Sequence, residues 1–197
     1  MLNFNSNYIL ENEAVRLSPL QVNDYDHLLN FATNEPEIWE YSLVQPNSQI
    51  KLKKYINDAL LARKKKLEYA FIVYDKIAKQ YAGSTRFYDI QVENKSLQLG
   101  YTWYGKQYRG TLLNKNCKYL LLAFAFDTLQ VDRVEFRADN KNKRSISAML
   151  SIGCVVEGVM RDHILKPNGG RRDSIVLSIL RHEWASKINS ELHLKIN

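Results

Sequence analysis

The stretch from Trp103 to Leu113 combines residue types that can hold a phosphate group. A strand-like segment ends there, and the short loop Gly105–Thr111 opens directly into a helical pattern. Backbone N–H groups in such a loop, together with those of the first helical turn, form a cradle for an anion. Gly110 allows close approach, while Arg109 and Lys106 add positive charge. The segment predicts a site for a phosphorylated ligand, and an ordinary glycine-containing turn before a helix is the alternative.

This loop differs from the two common nucleotide-binding fingerprints. A Walker loop requires a Gly-Lys-Ser/Thr triplet, which does not follow Gly110. The glycine spacing is also wrong for the dinucleotide fingerprint. The sequence therefore points to another class of phosphate-binding protein.

Two helices and four strands are predicted ahead of the loop. Val15 and Leu17 alternate with polar residues, as in a half-buried strand. Ser48 precedes apolar residues spaced by three and four, as in a one-sided helix with an N-cap. In chain order the elements are a strand ending at Pro19, a helix through Leu28–Ala32, a helix after Ser48, and strands at Tyr69–Tyr74, Ala82–Ile90 and Leu97–Tyr104.

The elements after the loop complete a mixed fold. Leu113, Cys117 and Leu121 lie on one helical face, and further apolar residues widen it, so this helix should be largely buried. The later elements are a strand at Arg133–Ala138, a helix at Ser145–Ile152, and strands at Val155–Leu165 and Ser174–Leu180. The order β-α-α-β-β-β-α-β-α-β-β predicts an α/β (α+β) fold, with a mixed sheet of about seven strands and helices on both faces.

Length and composition favour one soluble domain. The chain has 197 residues and a net charge of +7, from 28 Lys and Arg against 21 Asp and Glu. The first residues show no signal peptide, and the longest apolar run, Tyr119–Phe126, is far short of the ~20 residues of a membrane-spanning helix. We therefore expect a cytoplasmic protein. The basic residues between Lys51 and Lys66 are interpreted as a solvated helix face, since no RNA-binding motif accompanies them.

Six segments in order resemble the GNAT acetyltransferases, in particular the RimJ/RimL-like branch of ribosomal-protein N-terminal acetyltransferases. The loop Gln107–Leu112 resembles the Gln/Arg-x-x-Gly-x-Gly/Ala loop that holds the pyrophosphate of acetyl-CoA in that family. The other five segments are Leu97–Trp103, Asn114–Leu122, Arg133–Arg137, Asn142–Ser145, and the pair Glu157–His163 with Ser178–Trp184. The resemblance implies a GNAT domain over residues 1–184, and residues 185–197 are interpreted as a polar C-terminal tail.

The resemblance also implies the roles of particular residues. Ser145 would lie near the coenzyme sulfur as an acid or hydrogen-bond donor, although capping of the following helix is an alternative, as it is for Asn142. Gly100 would mark a bulge that parts its strand from Arg133–Ala138, so that the pantetheine arm lies between them. The implied cofactor-binding residues are Tyr101, Thr102, Trp103, Gln107, Tyr108, Arg109, Gly110, Thr111, Leu112, Asn142 and Arg144.

Three positions depart from the family pattern. Leu112 stands where the loop usually has Gly or Ala, and its side chain is expected to point into the helix packing. Gln98 replaces a Glu that could accept a proton, and Met149 stands where many members have a Tyr acid. The remaining candidates for the general base are Glu157, Asp89, His163 and an ordered water.

The sequence therefore predicts an N-acetyltransferase that moves the acetyl group of acetyl-CoA to a primary amine, either a protein N-terminus or a small molecule. The amine would attack directly in a ternary complex, without an acyl-enzyme. The expected partners are acetyl-CoA and the amine acceptor, with no metal, membrane or nucleic acid, and a homodimer is allowed. A CoA-binding sensor or interaction protein without catalysis is the alternative function.

Overall fold

Eight strands form one mixed sheet in the computed structural model, which describes residues 2–196. Across the sheet the order is β1-β2-β3-β4-β5-β6-β8-β7, and neighbours are antiparallel except for the parallel pair β5 and β6. The predicted fold class is confirmed, and the two-residue β1 raises the strand count above seven. The strands are β1 (Leu10–Glu11), β2 (Val15–Pro19), β3 (Tyr69–Asp75), β4 (Gln80–Gln91), β5 (Ser96–Tyr104), β6 (Arg133–Asp139), β7 (Val155–Leu165) and β8 (Arg171–Leu180).

Four helices of residues 2–196 fall where the apolar spacing predicts them, and two further helices lie at the C-terminal side. None of them combines the length and apolar character needed to cross a membrane. They are α1 (Tyr25–Asn34), α2 (Gln49–Lys64), α3 (Leu113–Ala123), α4 (Lys143–Ser151), α5 (Arg181–Glu183) and α6 (Asn189–Ile196).

The segment after Trp184 is helical, although we interpreted it as a polar tail. A π-helical turn, Trp184–Ile188, joins α5 to α6. Trp184, Ile188 and Leu192 recur every four residues and are all buried. Tyr119 of α3 contacts the Trp184 ring at 5.9 Å between centroids. These three side chains form a narrow apolar stripe that packs on α3. The polar residues around them make this stripe hard to detect in the sequence.

The start of α2 is capped as its sequence predicts. Ser48 Oγ accepts a hydrogen bond from the Lys51 amide at 3.3 Å, and the Ser48 backbone is extended. This contact satisfies one of the amides that a helix start leaves without a partner. The buried side of α2, including Leu52 and Ile56, then packs into the core.

Ser48→Ala is expected to lower the free energy of unfolding by about 1 kcal/mol, because the cap is lost while the helix remains. Ser48→Gly is the matched control, since glycine at an N-cap costs only a few tenths of a kcal/mol. Chemical denaturation measures both variants. Equal destabilisation by Ala and Gly would contradict a capping role.

The sheet opens between β5 and β6. Their parallel pairing covers only Ser96–Gln98 against Arg133–Glu135. Beyond it, β5 continues to Tyr104 on its pairing with β4, and β6 continues to Asp139 on its pairing with β8. We call the gap between residues 99–104 and 136–139 the β5–β6 opening.

A β-bulge in β5 coincides with the start of this opening. Gly100 and Trp103 pair with Arg86 and Ser84 of β4, so β5 carries one more residue than β4 in this interval. Tyr101 adopts the left-handed conformation, with φ of 49°. A bulge bends its strand and increases the local twist. The structure therefore places the bulge beside Gly100, and the departure of β5 from β6 follows from it.

Candidate functional site

The loop Gly105–Leu112 is held by polar contacts between its own residues and β4. Gln107 Nε2 and the Tyr108 hydroxyl both donate to Gln80 Oε1, at 3.4 and 3.3 Å. Thr111 Oγ1 donates to the Tyr108 carbonyl at 2.8 Å and accepts from the first amide of α3 at 3.2 Å. Tyr108 is buried, so its side chain anchors the loop from beneath.

The end of this loop presents backbone donors that the protein itself does not use. Within residues 2–196, the amides of Leu112, Asn114 and Lys115 donate to no protein acceptor. Gly110 has φ of 76°, and a Cβ there would face open space. The Leu112 side chain is 51% exposed, so our expectation that it packs into the helix is wrong. Free amides at a helix start are a common feature of anion sites, and the phosphate site of this loop stays a prediction.

Two arginines bring positive charge to the same end of the opening. Arg109 has an 18% exposed side chain and lies 4.0 Å from Glu37. Burial lowers the pKa of Arg109, and the positive charge of Arg144, at the start of α4, lowers it further. The Lys106 amide donates to Glu35 at 2.6 Å, which fixes the loop to the segment after α1. The carboxylates of Glu37 and Glu35 act in the opposite direction on the pKa of Arg109, so charges of both signs surround this guanidinium.

Each of the three predicted residues of β5 has a side-chain partner within the protein, although Tyr101 is also 39% exposed. Trp103 is buried against Trp39, at 5.1 Å between ring centroids. Tyr101 lies over the Arg86 guanidinium at 4.3 Å, and the Thr102 hydroxyl is 2.7 Å from the Thr85 hydroxyl. Beyond Gln98 the backbone of this segment makes no pairing with β6.

Lys118, which lies within the family segment Asn114–Leu122, is a buried charged residue that the sequence pattern did not single out. Lys118 lies on α3, is 5% exposed, and its Nζ donates to Thr102 Oγ1 at 2.9 Å. The same nitrogen lies 5.6 Å from the centre of the Phe136 ring on β6. Burial lowers the pKa of Lys118 to about 8. The sequence does carry a signal for a buried lysine, because Lys118 follows Cys117 on the apolar face of the predicted helix.

At the start of α4, Asn142 acts as the N-cap. Its Oδ1 accepts from the Ser145 amide at 3.0 Å, which agrees with the capping interpretation of Asn142. Ser145 is half-buried in the first turn of α4. Met149 is buried, 7% exposed, so its side chain belongs to the core.

The Glu157 carboxylate is already engaged by two partners. Ser178 Oγ donates to Glu157 Oε1 at 2.5 Å, and Arg133 forms an ion pair with the same oxygen at 2.5 Å. The hydrogen bonds from Ser178 and then Arg133 lower the pKa of Glu157. Arg133 lies in the paired part of β5 and β6, opposite Ser96. Glu157 therefore sits beside the closed part of the sheet as a stabilised carboxylate.

The other two candidates for a base also have partners. Asp89 is exposed on β4, and its Oδ2 accepts from Gln98 Nε2 at 2.7 Å. His163 Nδ1 lies 3.0 Å from Ser174 Oγ on β8, and burial lowers the pKa of His163. Of the two, Asp89 is connected to β5 next to the opening, through Gln98.

Comparison with known proteins finds similar sequences and similar structures. The sequence profile of the acetyltransferase (GNAT) domain matches residues 14–155. An uncharacterised N-acetyltransferase of Bacillus licheniformis, p20, is 25% identical over 180 residues, which are 89% of this chain and 98% of that protein. A Bacillus subtilis (strain 168) protein with the provisional name ribosomal N-acetyltransferase YdaF is 30% identical over 103 residues, 52% of this chain and 55% of YdaF. The crystal structure of a GCN5-related N-acetyltransferase from Brucella melitensis has a TM-score of 0.90 at 23% identity, covering 99% of this chain and 88% of the other.

Proposed function

This chain belongs to the GNAT acetyltransferase family, and we propose that it transfers the acetyl group of acetyl-CoA to a primary amine by direct attack in a ternary complex. A protein N-terminus is the first acceptor to consider, because the similar YdaF is named as a ribosomal N-acetyltransferase. The one observation that carries the proposal is the set of free amides after Gly110, at the open end of a split sheet.

The residues present fit the coenzyme. The amides of Leu112, Asn114 and Lys115 point to a diphosphate, because a helix start combines free N–H donors with a favourable dipole. Arg109 and Arg144 supply charge for the phosphates, and Arg binds phosphate in a bidentate way. The β5–β6 opening, which leaves strand edges unpaired, fits an extended amide-containing arm.

Acetyl-CoA supplies an activated thioester when bound. Backbone N–H groups of residues 100–103 hold the carbonyl oxygen in this proposal, and one such preorganised donor is worth roughly 2.7–4 kcal/mol. Asn142 contacts the coenzyme arm, and Ser145 donates a hydrogen bond toward the sulfur. Water takes the proton of the acceptor amine, with Glu157 as the alternative among the side chains.

Glu157→Gln is expected to lower kcat/KM by less than about tenfold, whereas loss of a general base costs roughly 10²–10⁴-fold. The physical reason is that Ser178 and Arg133 occupy the carboxylate and lower its pKa. The pH profile of kcat/KM measures the effect, with the exposed Glu13→Gln as the control variant. A loss of 100-fold or more that removes the acidic limb of the profile would assign the base to Glu157.

Calorimetry with acetyl-CoA, followed by a free-thiol release assay over amines and N-terminal peptides, tests the proposed function. We expect binding and an acceptor-dependent release of thiol. Binding without release on any acceptor would favour the non-catalytic sensor. Absence of binding to the folded protein would overturn both functions.

A further inference from the structure

We propose that Lys118 is a catalytic donor, whose ε-ammonium gives a proton to the coenzyme sulfur as the acetyl group leaves it. This inference deepens the function proposed above and rests on it. Ser145 approaches from α4, whereas Lys118 comes from α3, so the two side chains are separate donors on separate helices.

The position of the Lys118 amine carries the argument. Its Nζ contacts Thr102 on β5 at 2.9 Å and lies over Phe136 on β6 at 5.6 Å. Both residues lie beyond Gln98 and Glu135, where the pairing of the two strands ends. The amine therefore lies beside both strands, beyond the point where their pairing ends and the β5–β6 opening begins.

The Lys118 amine also lacks the partners that a buried charge needs. An ammonium group has three N–H donors, and the structure gives it one acceptor, the Thr102 hydroxyl, which also contacts Thr85. Within residues 2–196, no carboxylate lies within 4.0 Å of it. Buried charges are normally paired. A thiolate formed in the opening would be the missing counter-ion.

The chemistry of the amine suits a thiol leaving group. Burial lowers the pKa of Lys118 to about 8, close to the value of about 8.5 for the thiol of a cysteine side chain. Proton transfer between groups of similar pKa is efficient near neutral pH. The neighbouring titratable groups are Cys117 and Cys154, and burial raises the pKa of each to about 12, so both stay neutral.

The step balances in atoms and charge. The acceptor nitrogen forms the new C–N bond, the C–S bond breaks, and its electron pair goes to sulfur. The Lys118 proton passes to that sulfur and yields the free thiol and a neutral amine. Solvent receives the proton that the acceptor loses and returns one to Lys118.

Titration of CoA bound to the protein tests this without catalysis. Thiolate absorbance gives the pKa of the bound thiol in the wild type and in Lys118→Met, which has a side chain of similar length and no charge. We expect the bound thiol to be at least about tenfold more acidic in the wild type, a difference of one pKa unit. Lys118→Arg keeps a charge and should retain much of the effect.

Equal thiol pKa values in the wild type and Lys118→Met would overturn the proposal. A second measurement needs no variant: NMR titration of the Lys118 amine should show its pKa rise when CoA is added, and an unchanged value would also overturn it. CoA affinity, measured first by calorimetry, separates failure of the proposed function from failure of the proposed role of Lys118. Lack of binding rejects the proposed function, whereas binding without either shift rejects only the role of Lys118.

Discussion

Gly110→Asp is expected to weaken acetyl-CoA binding by about a hundredfold relative to Gly110→Asn. A Cβ at position 110 faces open space, and Asp and Asn both tolerate the left-handed conformation that φ of 76° requires. The two variants therefore differ in charge and hardly in shape. A carboxylate ~4–6 Å from a diphosphate costs about 2–3 kcal/mol after screening, which corresponds to roughly a hundredfold in Kd.

Calorimetry at fixed ionic strength measures the two dissociation constants, and thermal unfolding checks that both variants are equally folded. The difference should shrink as salt is added, since exposed charges are screened. Equal affinities for Gly110→Asp and Gly110→Asn would show that the diphosphate binds elsewhere and would remove the main support of the proposed function.

Lys118→Met is expected to raise the free energy of unfolding at pH 7 by about 2 kcal/mol. Lowering the Lys118 pKa from 10.5 to about 8 corresponds to a cost on the order of 3 kcal/mol for the charged, buried side chain. Loss of its hydrogen bond to Thr102 offsets roughly 1 kcal/mol of the gain. The variant should be more stable, although we expect it to be the poorer enzyme.

The pH dependence of this effect has a definite sign. The folded protein releases the Lys118 proton near pH 8, whereas the unfolded chain holds it to about 10.5. The cost is thus fully present below pH 8 and declines as the pH rises toward 10.5. The advantage of the variant should shrink over this range and end as a small deficit, because its lost hydrogen bond to Thr102 remains. Denaturant titrations across this range measure it, with half-exposed Lys115→Met as the control. If the difference in free energy of unfolding between wild type and Lys118→Met stayed constant across this pH range, it would contradict a buried charge on Lys118.

The sequence predicts the larger elements because each has a strong local pattern. The meander of β3, β4 and β5 follows from segments rich in β-branched and aromatic residues with polar turns between them, and α3 follows from its wide apolar face. Two elements lacked such a signal. β1 is too short to alternate, and α6 exposes most of its residues around the single buried Leu192.

The candidate site is less accessible from sequence, because its geometry depends on contacts between distant segments. The loop Gly105–Thr111 is a local feature, so the sequence alone predicts its anion-binding role and the parts of Gly110 and Arg109 in it. The approach of Arg144 to Arg109, and the occupation of Glu157 by Arg133 and Ser178, arise only when strands and loops from different parts of the chain meet. Charge interactions between residues that are far apart in the sequence produce no pattern in the sequence itself.

The packing of the segment Arg181–Ile196 on α3 has a consequence for the order of events on the ribosome. The helix that begins at the anion loop emerges long before the side chains that cover its flank, among them Trp184, which stacks on Phe126 at 5.7 Å and donates to Asp127 at 3.0 Å. Until those residues are translated, the nascent chain carries an uncovered apolar surface there. The packed core on this flank should therefore form late in synthesis, when the segment Arg181–Ile196 covers the helix.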